Sequence, residues 1–177
     1  MHQILCANVA LNGLENVRAR HAALGAEPGQ IIVPGIDYEK GGNYGGLELG
    51  KYEQGERVAV ETIDALNLKA CHFIKIDVEG MENEVLDGAA DTLARHQPVL
   101  YVENDRRERA AELIERLMRA EYRLFWHLPP LFNPDNHFGN PENVFGGLLS
   151  RNMFCLPKGS PLNVTNFTEI TSPDETF

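Results

Sequence analysis

The sequence contains no apolar run long enough to cross a membrane as a helix, which needs about 20 residues. The chain also does not open with a basic stretch and a cleavable apolar core, so the residues give no sign of secretion. Basic residues are in deficit, because 16 Lys and Arg stand against 26 Asp and Glu, a formal net charge of -10. A chain this acidic lacks the positive surface that nucleic-acid binding requires. We therefore expect a cytoplasmic protein that binds neither membranes nor nucleic acids and takes a small molecule or sugar as its partner.

Cysteine is scarce as well. The three cysteines, Cys6, Cys71 and Cys155, are odd in number and far apart, which excludes a disulfide framework and a C-x-x-C metal knuckle. The residues His127, Asp135 and His137 match no metal-ligand spacing, and solvated loop histidines are the simpler interpretation. The sequence therefore predicts no metal site.

Strand-like and helix-like segments alternate in the second half of this 177-residue chain. Residues 73–78 are mostly apolar and β-branched, typical of a buried strand, and residues 98–102 repeat the pattern. Apolar residues recur at helical spacing over 85–93 and over 110–118. Further strand candidates are residues 122–128 and 153–156. Tandem strand-helix units predict an α/β fold with a mostly parallel sheet and helices on both faces.

The flanking segments are less regular. Residues 3–11 are apolar on all sides and precede Asn12-Gly13, which predicts a helix that ends at the glycine. Residues 17–24 have strand character, whereas 25–55 are rich in Gly, Pro and Asn and predict a loop or hairpin insertion. Residues 158–177 are expected to form a loosely held tail.

Acidic residues stand where two of the predicted strands end. Asp77 and Glu79 follow the first core strand and Glu103 follows the second. Ligands of open parallel sheets bind at the carboxyl ends of the strands, so these acids are our candidate catalytic residues. A role only in pairing remains open for Asp77, whose partner would be Lys75, and a helix-capping role remains open for Glu103.

The chain resembles the FkbM-type methyltransferases in three blocks. The blocks are N-V-A-L-N-G-L-E-N-V at 8–17, F-I-K-I-D-V-E-G at 73–80 with Glu82, Val85, Leu86, Gly88 and Ala89, and the strand-like segment 98–103. The resemblance implies a Rossmann-like class I fold and an S-adenosylmethionine-dependent O-methyltransferase acting on a hydroxyl of a sugar or natural product. Residues 1–157 would form its methyltransferase domain, with 129–147 as a loop on the substrate side.

The resemblance also implies where the cofactor would bind. By analogy, Ala23, Leu24 and Gly25 would lie near the adenine and Asp77 beside the cofactor. Members of the family carry a first strand-helix-strand portion with a glycine-rich turn, and this portion is lacking here, so we expect residues 1–177 to bind the cofactor weakly or not at all. The alternative is a non-catalytic remnant or partner-binding domain that self-associates through an exposed sheet edge. A carboxylate-pair hydrolase is a more distant alternative.

Aromatic residues are concentrated in and before the 129–147 loop. Trp126, Phe132, Phe138 and Phe145 either line a rim that binds a sugar or ring, or pack the loop onto the sheet. The sequence alone favours packing.

Overall fold

The computed structural model describes residues 1–37, 39–40 and 45–176, whose strands form two sheets. The elements in chain order are α1 (His2–Leu11), β1 (Ala22–Leu24), β2 (Gly29–Val33), β3 (Glu56–Glu61), a 3-10 turn (Asp64–Leu66), β4 (Phe73–Ile76), α2 (Glu82–Asp87), α3 (Ala90–His96), β5 (Val99–Glu103), α4 (Arg107–Arg119), β6 (Tyr122–His127), β7 (Asn152–Pro157) and β8 (Thr168–Ile170). Within the described ranges, no helix has the length and apolar character needed to cross a bilayer.

The larger sheet has the order β4-β5-β7-β6-β8 and is mixed. Strands β4 and β5 pair in parallel, as the strand-helix pattern predicts, whereas β7 is antiparallel to both β5 and β6. The prediction of a mostly parallel sheet is therefore wrong. A parallel return needs a long crossover, usually a helix, and the segment between β6 and β7 contains none among the described residues, so β7 runs back along β6.

The main core lies between one face of this sheet and α4. Ala110, Leu113, Ile114 and Leu117 form the buried stripe of α4, at the helical spacing that the sequence predicts. The core also contains alternate residues of the sheet, which point to one face. Among them are Leu100, Val102, Met153 and Leu124. Because side chains alternate along a strand, Glu103 of β5 lies on the other face.

The smaller sheet has the order β1-β3-β2. The predicted hairpin insertion contains β2, which pairs antiparallel with β3, while residues 41–44 in its middle lie outside the described ranges. The predicted strand over 17–24 is too long. Only Ala22–Leu24 is strand, because its partner residues on β3 are Ala59 to Glu61 and the pairing extends no further.

The helix predicted after β4 is divided into α2 and α3 at Gly88. A Cβ on Gly88 would lie 2.1 Å from the Gly25 carbonyl oxygen and 3.1 Å from Thr62 Cβ. The Gly88 carbonyl accepts a hydrogen bond from the Asp64 N–H at 2.9 Å. This close approach fixes the end of β1 against the α2–α3 junction and thereby places β1 beside the loop that follows β4.

The C-terminal segment is more ordered than the predicted loose tail. Strand β8 pairs antiparallel with β6, Ile170 is buried in the core, and the Trp126 indole N–H donates to the Glu175 carbonyl at 3.3 Å. One buried apolar residue in a three-residue strand gives too little periodicity to be predicted from sequence.

Candidate active site

The loop after β4 carries an unusual backbone at the site. Glu79 has φ +54° and Gly80 has φ +98°, so two consecutive residues lie in the left-handed region. Glycine accepts this conformation freely, but glutamate does so at a cost of about 1 kcal/mol or more. The Gly80 N–H donates to Glu82 Oε1 at 2.9 Å, which closes the turn and gives the buried Glu82 carboxylate a partner. The turn directs the backbone back into α2.

Two arginines near the start of α4 hold this loop. Arg106 Nη2 lies 2.7 Å from Glu79 Oε2, and Arg109 donates from Nη1 to the Gly80 carbonyl and from Nη2 to Glu84 Oε1 at 2.9 Å. The arginines were missed as site residues, because the sequence analysis used the basic residues only as part of the net charge. A signal was present in the sequence: partly buried acids need cations, and these arginines directly follow the second acidic strand end.

The carboxylates predicted as catalytic come together. Asp77, Glu79 and Glu103 each offer an oxygen, and these oxygens lie within 4.8 Å of one another. The register of the parallel pair explains this, because Ile76 lies opposite Val102 and the acids follow directly. The prediction that Asp77 is buried is wrong, because its side chain is 40% exposed and forms an ion pair with Lys75. Asp77 thus pairs with Lys75 and also lies within the group of three carboxylates.

Glu103 has a strongly raised pKa. Burial, then the charges of Asp77, Asp105 and Glu79, raise the pKa of Glu103 from 4.5 to about 8. Its Oε2 is buried and has no hydrogen-bond partner among the residues that the structure describes. Burial also raises the pKa of Glu79, and the Arg106 guanidinium partly opposes the rise. The Glu103 carboxyl therefore keeps its proton to a higher pH than a free glutamate does, which makes a carboxylate at this position more basic.

The same oxygens are also the kind that hard divalent cations prefer. Among the described residues, no other cluster of His, Cys, Asp or Glu is close enough to hold an ion. His127 instead pairs through Nδ1 with the Tyr101 hydroxyl at 2.7 Å, so His127, Asp135 and His137 do not assemble.

A cleft of about 340 Å³ adjoins the carboxylates. Its apolar wall includes Ala23 and Leu24 at the end of β1, and Asp77 and Glu79 form its acidic side. Other apolar lining residues are Leu47, Leu49, Val78 and Met81. Gly25 does not line the cleft, because it is buried against Val60 and Gly88. The cleft thus unites three of the four residues predicted to bind the cofactor.

In mixed α/β domains, a part-apolar, part-acidic cleft at the ends of parallel strands is the kind of place where small molecules bind. Residues 2–124 match the family described as the Methyltransferase FkbM domain. The chain belongs to this family, as its sequence motifs predict. No curated protein matches the chain significantly, and no solved structure does.

Proposed function

We propose that the protein is an S-adenosylmethionine-dependent O-methyltransferase that methylates a hydroxyl of a sugar or natural product. The observation that carries the proposal is the junction of the apolar cleft with the Asp77, Glu79 and Glu103 carboxylates at one sheet edge. Family membership supports methyl transfer. The resemblance to class I enzymes supports the assignment of this sheet edge as the active site.

The cleft fits S-adenosylmethionine in its chemistry. A flat, mostly apolar adenine suits the wall formed by Ala23, Leu24 and Leu47, and a sulfonium cation suits the acidic side formed by Asp77 and Glu79. The bound cofactor would supply an electrophilic methyl group. The volume of about 340 Å³ lies in the range of small-ligand sites.

The chain's own contribution is to take the proton from the acceptor hydroxyl. Asp77 and Glu103 act as a unit, since the charge of Asp77 helps to raise the Glu103 pKa to about 8. In its ionised form this pair receives the hydroxyl proton on a carboxylate oxygen, which leaves a nucleophilic acceptor oxygen. Arg106 and Arg109 hold the Glu79-Gly80 turn in place and so fix one side of the site.

Ligand-observed saturation-transfer NMR with S-adenosylmethionine tests the proposal, because it detects weak complexes. We expect saturation transfer to the adenosyl protons with the wild-type chain, and loss of this signal with Ala23→Trp, which fills the cleft. Ala59→Trp is the matched control, since Ala59 is an exposed residue of the same sheet that does not line the cleft. A folded wild-type chain that shows no transfer to the adenosyl protons would refute the proposal.

One observation favours the second candidate, a partner-binding domain that self-associates. Within the described residues β4 pairs on one side only, with β5, and Phe73 on it is 54% exposed. An unpaired strand edge is a template for another strand. Light scattering coupled to size exclusion tests it, with a concentration-dependent dimer expected for the wild-type chain and a monomer for Lys75→Pro, which removes a backbone donor from the edge strand. A wild-type chain that stays monomeric at all concentrations contradicts it.

A further inference from the structure

Residues 45–51 form part of the wall of the cleft beside the carboxylates. Leu47 and Leu49 line the cleft and are partly buried, although this segment belongs to no helix or strand. Gly46 and Gly50 flank the two leucines, and Gly50 has φ +88°, a conformation that glycine adopts freely. Since no sheet or helix fixes the backbone here, the segment can open without unfolding the rest of the domain.

Glu48, between the two leucines, lies beside the left-handed turn that follows β4. Its Oε1 is 3.7 Å from the position that a Cβ on Gly80 would take, and Arg106 Nε is 3.8 Å from the same position. Arg106 is itself fixed to Glu79, and Arg109 is fixed to the Gly80 carbonyl. The segment thus brings a carboxylate to the point where two arginines are already held in place.

The two oxygens of Glu48 have different surroundings. Oε2 pairs with Lys51 Nζ at 2.7 Å, inside the segment, whereas Oε1 is the oxygen near Gly80. The hydrogen bond from Lys51, together with the charges of Lys51, Arg106 and Arg109, holds the pKa of Glu48 below its usual value against the loss of solvation. Glu48 is therefore ionised at neutral pH, and its charge attracts the segment to the start of α4.

We propose that residues 45–51 are a lid over the cleft, and that Glu48 holds the lid closed through its attraction to Arg106 and Arg109. When the lid opens, its leucines leave the cleft and a ligand can enter. A ligand in contact with these leucines binds the closed state more tightly, so it shifts the population toward closure. The identification of that ligand as S-adenosylmethionine rests on the proposed function, whereas the role of Glu48 in the ligand-free chain does not.

Relaxation-dispersion NMR of the Leu47 and Leu49 amides in the whole, ligand-free chain measures the population of the open lid, because lids move in microseconds to milliseconds. Glu48→Gln should raise this population about threefold, since it removes the charge and keeps the shape. Glu53→Gln is the matched control, an exposed acid of the same insertion outside the cleft lining, and should leave the population unchanged. Lys51→Met removes only the partner inside the segment and should change the population less than Glu48→Gln does.

Three results in the ligand-free chain would overturn the inference. The absence of dispersion in the wild type would make the segment a fixed wall. An unchanged population in Glu48→Gln would remove Glu48 from any role in closure. An equal rise in Lys51→Met and Glu48→Gln would mean that Glu48 orders its own segment and does not hold it to the arginines.

The same measurement with S-adenosylmethionine separates the lid from the proposed function. Where saturation-transfer NMR shows that the cofactor is bound, the open population should fall, and an unchanged population would overturn the lid. If the cofactor does not bind while Glu48→Gln still opens the segment, the proposed methyltransferase function fails and the lid stands.

Discussion

Arg106 Nη2 lies 2.7 Å from Glu79 Oε2, so the residue that precedes α4 is tied to the left-handed turn that follows β4. The two side chains are 32% and 18% exposed, which makes this pair one of the more buried ion pairs of the molecule. Removing one member of such a pair leaves the other charge poorly solvated.

Arg106→Met should therefore lower the free energy of unfolding by about 2 kcal/mol at pH 7. Arg119→Met is the control, because Arg119 also pairs with a glutamate, Glu115, but is 76% exposed, and its loss should cost at most about 0.5 kcal/mol. Urea denaturation measures both. Equal losses of stability in the two variants would show that the Arg106 pair contributes no more than an exposed ion pair. Adding Glu79→Gln to Arg106→Met should restore part of the stability.

Glu103→Gln should stabilise the protein at alkaline pH. Because the Glu103 pKa is raised from 4.5 to about 8, the folded state holds a proton that the unfolded state has lost, and stability falls as pH rises through that window. Glutamine mimics the protonated acid and avoids the loss. Solvent screens part of the Glu103 side chain, which reduces the effect. We expect Glu103→Gln to raise the free energy of unfolding by roughly 2 kcal/mol at pH 9 and by almost nothing at pH 4.

Melting temperatures of both proteins from pH 4 to pH 9 give the measurement. The difference between them should grow steadily between about pH 4.5 and 8, the two pKa values that bound the window. A difference that does not change with pH would mean that Glu103 titrates normally.

Asp77→Asn should weaken S-adenosylmethionine binding at least tenfold, because Asp77 lines the cleft and its negative charge favours the sulfonium cation. Glu84→Gln removes the same charge nearby, but the Glu84 carboxylate already pairs with Arg109 at 2.9 Å and is outside the cleft lining. Its effect should be less than about twofold, the scale of an exposed ion pair. Saturation-transfer NMR at matched cofactor concentrations compares the two, and similar losses would remove Asp77 from the site.

Gly88→Ala should destabilise the fold by roughly 3 kcal/mol, because the new Cβ would overlap the Gly25 carbonyl oxygen, 2.1 Å away. The backbone of Gly88 is not strained, with φ -73°, so the cost is steric alone. Gly159→Ala is the control, since a Cβ there meets no atom of the described residues within 4 Å. Thermal unfolding monitored by circular dichroism distinguishes them, and an unchanged melting temperature for Gly88→Ala would mean that the two backbone segments can separate freely.

Sequence periodicity predicted the parallel β4–β5 pair and α4, because burial on a fixed side of a regular element imposes a regular spacing. Leu113, Ile114 and Leu117 show this pattern clearly. It did not predict β8, whose single buried residue, Ile170, is ordered by pairing with β6. The position of β7 between β5 and β6, antiparallel to both, was also missed. The order and direction of strands depend on the path of the connecting segments, and hydrophobic periodicity carries no information on that path.

The site was predictable in its acids and not in its cations. Asp77, Glu79 and Glu103 follow apolar strands directly, and strand register brings them together. Arg106 is 27 residues from Glu79 in the chain, so the only signal for it was the general need of partly buried acids for a nearby cation. The prediction of catalytic roles for the three acids remains a prediction.

The three-residue strand β8 limits how the larger sheet can grow. It covers the β6 edge and offers too short a row of backbone groups for stable addition of another strand, so growth is confined to the β4 side. Two copies joined there about a two-fold axis use the same edge of each, and both edges are consumed. A dimer formed by the proposed strand addition at β4 would therefore be closed and symmetric, and it would leave no β4 edge for a further copy.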